Sequence, residues 1–242
     1  MNDKQILAYM KARLNKEYYD KFVYVFENGK RIRPELIHSV CNHINKDFHP
    51  LFAAAAAIEV MHCISLVHDD VVDAGNVRRG KPSFNKKFGI NAAILFGDLF
   101  ATLAFQIFAE EYPKKLHLEF IKTFKIMIEG QIMELEGEVI DIDSYFEYVN
   151  KKTTSLFVLC AKIPLIYYGL NEPKVEQFME EYGIAFQMAN DLKDENKEIG
   201  VLDFLGAEEV RELLRKKLKA LESLDLPELD PLLEPVKEVL NG

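Results

Sequence analysis

Asp69 and Asp73 stand four residues apart at the end of the run Glu59-Val-Met-His62-Cys-Ile-Ser-Leu-Val-His68-Asp69-Asp70-Val-Val-Asp73. Residues four apart on a helix share a face about one turn apart, so these carboxylates repel each other unless a cation lies between them. Mg²⁺ takes one or two protein carboxylates and fills its shell with waters and phosphate oxygens. The pair offers such a seat, with a solvated acidic helix end as the alternative. Directly downstream, Arg78, Arg79 and Lys81 occupy a loop with Gly75 and Gly80. A guanidinium fork binds phosphate oxygens in pairs, so metal and arginine together suit a diphosphate. A basic loop salt-bridged to the aspartates is the plainer option.

Two further clusters have chemical potential. Lys30, Arg31 and Arg33 precede a helix predicted to begin near Pro34, and a helix N-terminus flanked by cations favours an anion. Far along the chain, Asn190, Asp194 and Glu198 are spaced four and four, with Asp191 beside the first. Each step of four drifts only about 40° around a helix, so all three keep near one face. Two oxygen-rich helices facing each other across a bundle would make a multi-metal site; a charged terminal turn is the simpler reading.

Helices must position these groups. Apolar residues recur at helical spacing, and alternating β-branched runs bounded by turns are nearly absent. The pattern predicts helices over 4–27, 34–45, 50–72, 91–111, 114–139, 143–168, 173–199, 206–223 and 228–240. Pro164 predicts a kink or an end within the sixth. No linker or repeat divides the chain, so one all-α domain over 1–242 is expected. Residues 207–240 alternate Leu and Val with Glu and Lys, which suggests a surface or partner-facing helical hairpin.

Composition narrows the function. Hydrophobic residues at 49% predict a sizeable core rather than disorder. Thirty Lys and Arg against thirty-nine Asp and Glu give a net charge of −9, which argues against a nucleic-acid partner. The apolar stretches 51–67, 92–109 and 155–170 are each interrupted by polar or charged residues (Glu59 and His62, Asp98, Lys162), so no membrane span is expected. Three cysteines in apolar surroundings and no leader-like N-terminus point to a reducing cytoplasm.

Taken together, these residues resemble the trans-isoprenyl diphosphate synthases, the polyprenyl synthetase family. The resemblance runs from Gly29 to Glu198 through GKRIRP, EVMHCISLVHDDVVD, RRGKP, FGD at 96–98, Gly130-Gln131, Lys152-Thr153 and GIAFQ followed by NDLKD. It implies an isoprenoid synthase-type helical bundle around a deep central cavity. It also implies condensation of isopentenyl diphosphate with an allylic diphosphate to a longer trans product. Lys30, Arg33, His62 and Arg79 would hold the isopentenyl diphosphate. Asp69 and Asp73, with Asp70 assisting, would bind several Mg²⁺ ions together with Asn190, Asp191 and Asp194. Arg78 and Lys152 would support the allylic leaving group, while Thr153 and Gln187 would lie beside the reacting carbons and Gln131 in the pocket wall.

Two departures keep alternatives open. Asn190 stands where the family has its first Asp of the second motif, and the lysine-containing segment that normally follows is missing, which shortens the region from about 200 to 242. NDLKDENKE also resembles the metal triad of class I terpene cyclases, which ionise a single substrate. The shortened tail is also the support for a third reading, a non-catalytic subunit of a heteromeric synthase, against which the intact DDVVD and both arginines stand. GKRIRP, RRG and Lys152-Thr153 serve a second substrate, so elongation ranks first. In the family the residues four and five positions before the first Asp form part of the pocket floor, where aromatic side chains stop the growing tail. Here they are Ser65 and Ile64, so the resemblance implies a product of C15–C20 or somewhat longer, with C20 favoured and Phe100 as an aromatic that could still block the pocket. The apolar helix 92–109 and family habit lead to an expected homodimer.

Overall fold

The computed structural model describes residues 3–193 and 199–241, and its architecture is all-α. The chain divides into two compact units, Met1–His38 with His49–His117, and Ser39–Phe48 with Leu118–Gly242.

In the first unit, α1 (Asp3–Lys11) and α2 (Lys16–Phe26) replace the single helix predicted over 4–27. The break comes at Asn15, whose extended backbone lets its side-chain oxygen accept the Tyr18 N–H at 2.9 Å. Such a cap satisfies a donor that a continuous helix would not leave open. Next, α3 (Ile32–His43) carries the chain from the first unit into the second, and its start precedes the predicted Pro34 by two residues. The long helix α4 (Phe52–Val72) is buried almost all round through Ala53–Met61. Its five consecutive alanines present little bulk, and α6 (below) packs along it closely.

A hairpin that the sequence reading did not foresee follows α4. Strands β1 (Val77–Arg78) and β2 (Lys81–Pro82) pair antiparallel, with Arg79 and Gly80 both left-handed at the turn (φ 54° and 76°). Two residues with positive φ make the tight turn that matches strand twist; two-residue strands are too short to leave an alternating pattern. Then come α5 (Phe84–Phe88), α6 (Ile90–Glu111) and α7 (Lys114–Leu135). By length and composition alone, the segment His49–Val72 and α6 could each cross a bilayer; the first is largely buried inside the structure, α6 about half.

In the second unit, α8 (Ile142–Val149) starts with a reciprocal cap between Asp141 and Ser144. It runs into a π-helical segment, Asn150–Thr154, and on into α9 (Ser155–Tyr168). Pro164 does not end this helix, which continues to Gly169 in a left-handed cap (φ 67°). Helix α10 (Pro173–Lys193) packs against α9 and the π segment. Helices α11 (Ala207–Glu222) and α12 (Glu234–Asn241) lie against α10 and bury Val210, Leu214, Leu218 and Val236. The apolar stripe of the tail is therefore occupied within its own unit. Cys41, Cys63 and Cys160 are buried and form no disulfide.

Candidate active site

Helix α4 delivers the first acidic motif at its C-terminal end. Asp73 caps the helix, and its N–H donates to the Asp69 carbonyl at 2.8 Å, so the two residues stack one turn apart. Asp69 is half-buried and Asp73 exposed. The carbonyl end of a helix is the negative pole of its dipole, and two carboxylates there deepen a potential that favours a cation. Their hard oxygens suit Mg²⁺, which fills its remaining positions from water and phosphate. Among the described residues no three His, Cys, Asp or Glu side chains gather into a ready-made cage; an ion that also takes substrate oxygens does not need one.

Asp70, between them, has different work. It is 2% exposed, and Arg78 donates to its Oδ1 from both Nε (2.9 Å) and Nη2 (2.6 Å). Asn85 donates to the Asp70 carbonyl at 2.8 Å, and the Ser83 hydroxyl donates to the Gly75 carbonyl at 2.7 Å. Asp70 thus pins the hairpin against the end of α4. Burial opposes the charge on Arg78, but the bond to Asp70 and the fields of Asp70, Asp69 and Asp73 raise its pKa overall. Part of the guanidinium stays exposed.

Behind the hairpin, the first unit concentrates positive charge. Arg79 donates to the Val25 carbonyl at 3.1 Å. Arg31, also left-handed (φ 57°), donates to the Phe26 carbonyl at 2.6 Å, to Asp3 and to Glu59 at 3.1 Å, and stacks over the Phe26 ring. A left-handed conformation costs a residue other than glycine about 1–2 kcal/mol, which these bonds offset. Glu59 is 1% exposed; burial pushes its carboxyl up, and Arg33, Arg31 and Arg79 pull it down. Burial, with Arg33, Arg79, Arg31 and Arg78 adding, holds the His62 imidazole well below its ordinary pKa. His62 is therefore neutral near pH 7. Three guanidinium groups around one buried carboxylate leave surplus positive charge for an anion, and Lys30 is exposed at the start of the same motif.

In the second unit, Lys152 and Thr153 sit on the π segment. Extra-wide turns of this kind redirect side chains and recur at functional sites. Two glycines let neighbouring backbones close on it: a Cβ on Gly130 of α7 would come within 2.8 Å of the Lys152 nitrogen, and one on Gly183 of α10 within 2.7 Å of Thr154 Oγ1. Lys152 donates to Glu134, which also accepts from Tyr148 at 2.7 Å and Gln131 at 2.9 Å. Thr153 donates to Gln187 Oε1 at 3.1 Å, and Gln187 Nε2 donates to Asp191 at 2.8 Å. Asp191 is 2% exposed and also accepts from Tyr145 (2.6 Å) and from the Val201 N–H (3.1 Å). Asn190 is half-buried one residue before it. Asp194 and Glu198 lie outside the described residues.

The first unit thus carries Lys30, Arg33, His62, Asp69, Asp70, Asp73, Arg78 and Arg79, and the second carries Lys152, Thr153, Gln187, Asn190 and Asp191. Sequence reasoning counted Arg31 only as one cation of the upstream cluster and assigned no part to Glu59 or Glu134. Glu59 did leave a signal, as a lone acid in the apolar run 51–67, and Glu134 stands three residues after Gln131. Tyr145 left none, since a tyrosine on an amphipathic helix looks like core.

Comparison with known proteins identifies the family. The pattern of the polyprenyl synthetase family matches residues 15–201. The chain is 31% identical over 211 residues to the geranylgeranyl diphosphate synthase of Sulfolobus acidocaldarius, covering 81% of this chain and 64% of that one. It is 36% identical over 169 residues to a geranylfarnesyl diphosphate synthase of Methanosarcina mazei, covering 68% and 57%. The aligned part is thus less than two thirds of either curated relative. Among solved structures, the fold matches an isoprenoid synthase family member from Thermotoga neapolitana with a TM-score of 0.85 at 30% identity, over 98% of this chain and 95% of that one.

Proposed function

This chain belongs to the polyprenyl synthetase family, and from that premise we propose that it is a Mg²⁺-dependent trans-prenyltransferase. It would join isopentenyl diphosphate to an allylic diphosphate, releasing diphosphate and a linear product of C15–C20 or somewhat longer, C20 favoured. The observation that carries the reading is the end of α4, where Asp69 and Asp73 stack beside a hairpin whose arginines are held by Asp70 and by the Val25 carbonyl of α2.

Asp69 and Asp73 would hold Mg²⁺ on the allylic diphosphate, with Asn190, through its carbonyl oxygen, and Asp194 as second-motif contacts. When bound, the metal supplies Lewis-acid neutralisation of the departing diphosphate. Arg78 and Lys152 add fixed positive charge to that leaving group, which is electrostatic stabilisation where charge develops. Lys30, Arg33 and Arg79 grip the second diphosphate, and neutral His62 donates an N–H to it. Thr153 and Gln187 set their oxygens beside the electron-poor carbon. The double bond of isopentenyl diphosphate attacks that carbon, and loss of a proton to released diphosphate completes the new double bond.

We place the enzyme in the cytosol, consistent with its three buried cysteines outside any disulfide. A homodimer is also proposed, because α7 exposes Leu118, Ile121, Ile128, Ile132 and Leu135 at three- and four-residue spacing.

Purified protein given isopentenyl diphosphate, geranyl or farnesyl diphosphate and Mg²⁺ tests the activity. A longer linear diphosphate is the expected product. A hydrocarbon or terpene alcohol would make it a cyclase, and turnover only after a partner synthase is added would make it a subunit.

A further inference from the structure

Asp191 lies in the second acidic motif, yet its carboxylate is enclosed by protein donors. Tyr145 Oη and the Val201 N–H both donate to Oδ2, at 2.6 and 3.1 Å, and Gln187 Nε2 donates to Oδ1 at 2.8 Å. The Val201 N–H can only donate, and the Tyr145 hydroxyl, 2.6 Å from the same oxygen, donates as well. That leaves Oδ1 as the acceptor facing Gln187. The Gln187 amide therefore has one permitted orientation, with its NH₂ toward Asp191 and its Oε1 toward Thr153. Oε1 cannot donate, so across the 3.1 Å contact the Thr153 hydroxyl must. Thr153 Oγ1 is then left with lone pairs for any other neighbour, and Oε1 with one more.

We infer that Asp191 is a positioning residue rather than a metal ligand: it fixes the Gln187 amide and, through it, the direction of the Thr153 hydroxyl, so that both oxygens offer lone pairs to electron-poor carbon. The inference deepens the prenyltransferase reading and rests on it for the last clause. The lock joins three elements, α8 through Tyr145, the π segment through Thr153 and α10 through Gln187 and Asp191, and Val201 ties in the chain beyond α10. Asp191→Asn keeps shape and volume but adds a donor. With Tyr145 and Val201 still donating to its oxygen, the new amide turns its NH₂ to Gln187. Gln187 then flips, Thr153 becomes an acceptor, and its hydroxyl proton is released to point at the developing cation.

Asp191→Asn should lower kcat roughly 10- to 100-fold, leaving both diphosphate KM values and the Mg²⁺ half-saturation within about twofold. In a Thr153→Val background the same change should alter kcat by less than about twofold, because the two act as one unit. Multiplicative effects would overturn the lock, as would a large rise in Mg²⁺ half-saturation or weakened Mn²⁺ binding by electron paramagnetic resonance. If Asp191→Asn fails to fold, neutron diffraction from the wild type still decides: the Thr153 deuteron should point at Gln187 Oε1, and any other direction refutes the inference. That measurement needs no turnover, so an inactive wild type would sink the prenyltransferase reading while leaving the hydrogen-bond direction separately tested.

Discussion

Three consecutive-looking acids at the end of α4 have different environments, and the difference predicts different failures. Asp69 and Asp73 stack at an exposed helix end, while Asp70 is buried under Arg78. Asp69→Ala and Asp73→Ala should each reduce kcat at least about 100-fold with the melting temperature nearly unchanged, because neither side chain is buried. Asp70→Ala should instead cost about 1–3 kcal/mol of stability, from the unpaired guanidinium and loosened hairpin, discounted because Arg78 can regain water. Steady-state kinetics beside urea titrations separate the two patterns; a stable, inactive Asp70 variant would reverse the division of labour. His62 gives a pH test. Its folded pKa lies below the ordinary 6.5, so below that pH the unfolded chain takes up a proton that the folded chain refuses. Stability therefore falls as pH drops from 6.5 toward the folded value, by up to about 1.4 kcal/mol per pH unit. Above 6.5 this group contributes no slope. Urea unfolding from pH 5 to 7.5 should show the extra slope in wild type and lose it in His62→Gln; parallel curves would mean that the imidazole charges freely.

At the scale of elements, the sequence exposes what is periodic and hides what is irregular. Long helices such as α4, α6 and α10 carry sustained apolar spacing, so their cores were legible, as was the acidic pair one turn apart. The break at Asn15, the hairpin at 77–82 and the π segment were not, because each depends on a local bond or a single extra residue that leaves the wider pattern intact. Pro164 predicts a kink or an end, and the helix around it, buried on most sides, does not end there, an instance of packing overriding propensity. The π segment shows why the glycines of GIAFQ and Gly130-Gln131 matter: they admit backbone, not ligand. Gly183→Ala would place a methyl within 2.7 Å of Thr154 Oγ1 and 2.9 Å of its Cα. It should push Thr153 away from Gln187, lowering kcat roughly 10- to 100-fold and stability by about 1–3 kcal/mol. A crystal structure and kinetics of the variant check both, and unchanged turnover would show that the segment tolerates the shift. On α4, Ile64 precedes Asp69 by five residues and is 1% exposed. Ile64→Phe should shorten the product, read by mass spectrometry of the dephosphorylated alcohol; an unchanged length would move the pocket floor to another residue, with Phe100 the first to try.

At the scale of the whole molecule, the question is what meets the apolar side chains that α7 exposes. On α7, Leu118, Ile121, Ile128, Ile132 and Leu135 are exposed by 40–65%, with Lys125 the one charged member of the same stripe. A stripe of this spacing is what one helix offers another when each packs side chains between those of its neighbour. Around a two-fold axis the same surface can meet itself, which needs no second gene product. A net charge of −9 opposes self-association over long distances, but at physiological salt charges separated by more than about 8 Å are screened, and contact between apolar side chains then decides. At micromolar concentration, light scattering should therefore give twice the chain mass of 27.9 kDa. Replacing Ile128 and Ile132 together by Glu should halve that mass while circular dichroism keeps its helical signature, because both side chains are solvent-facing within the chain and contribute little to its core. A wild-type monomer under these conditions would sink the dimer, and a double variant that stays dimeric would move the interface to the exposed Ile90, Ile94 and Leu95 of α6.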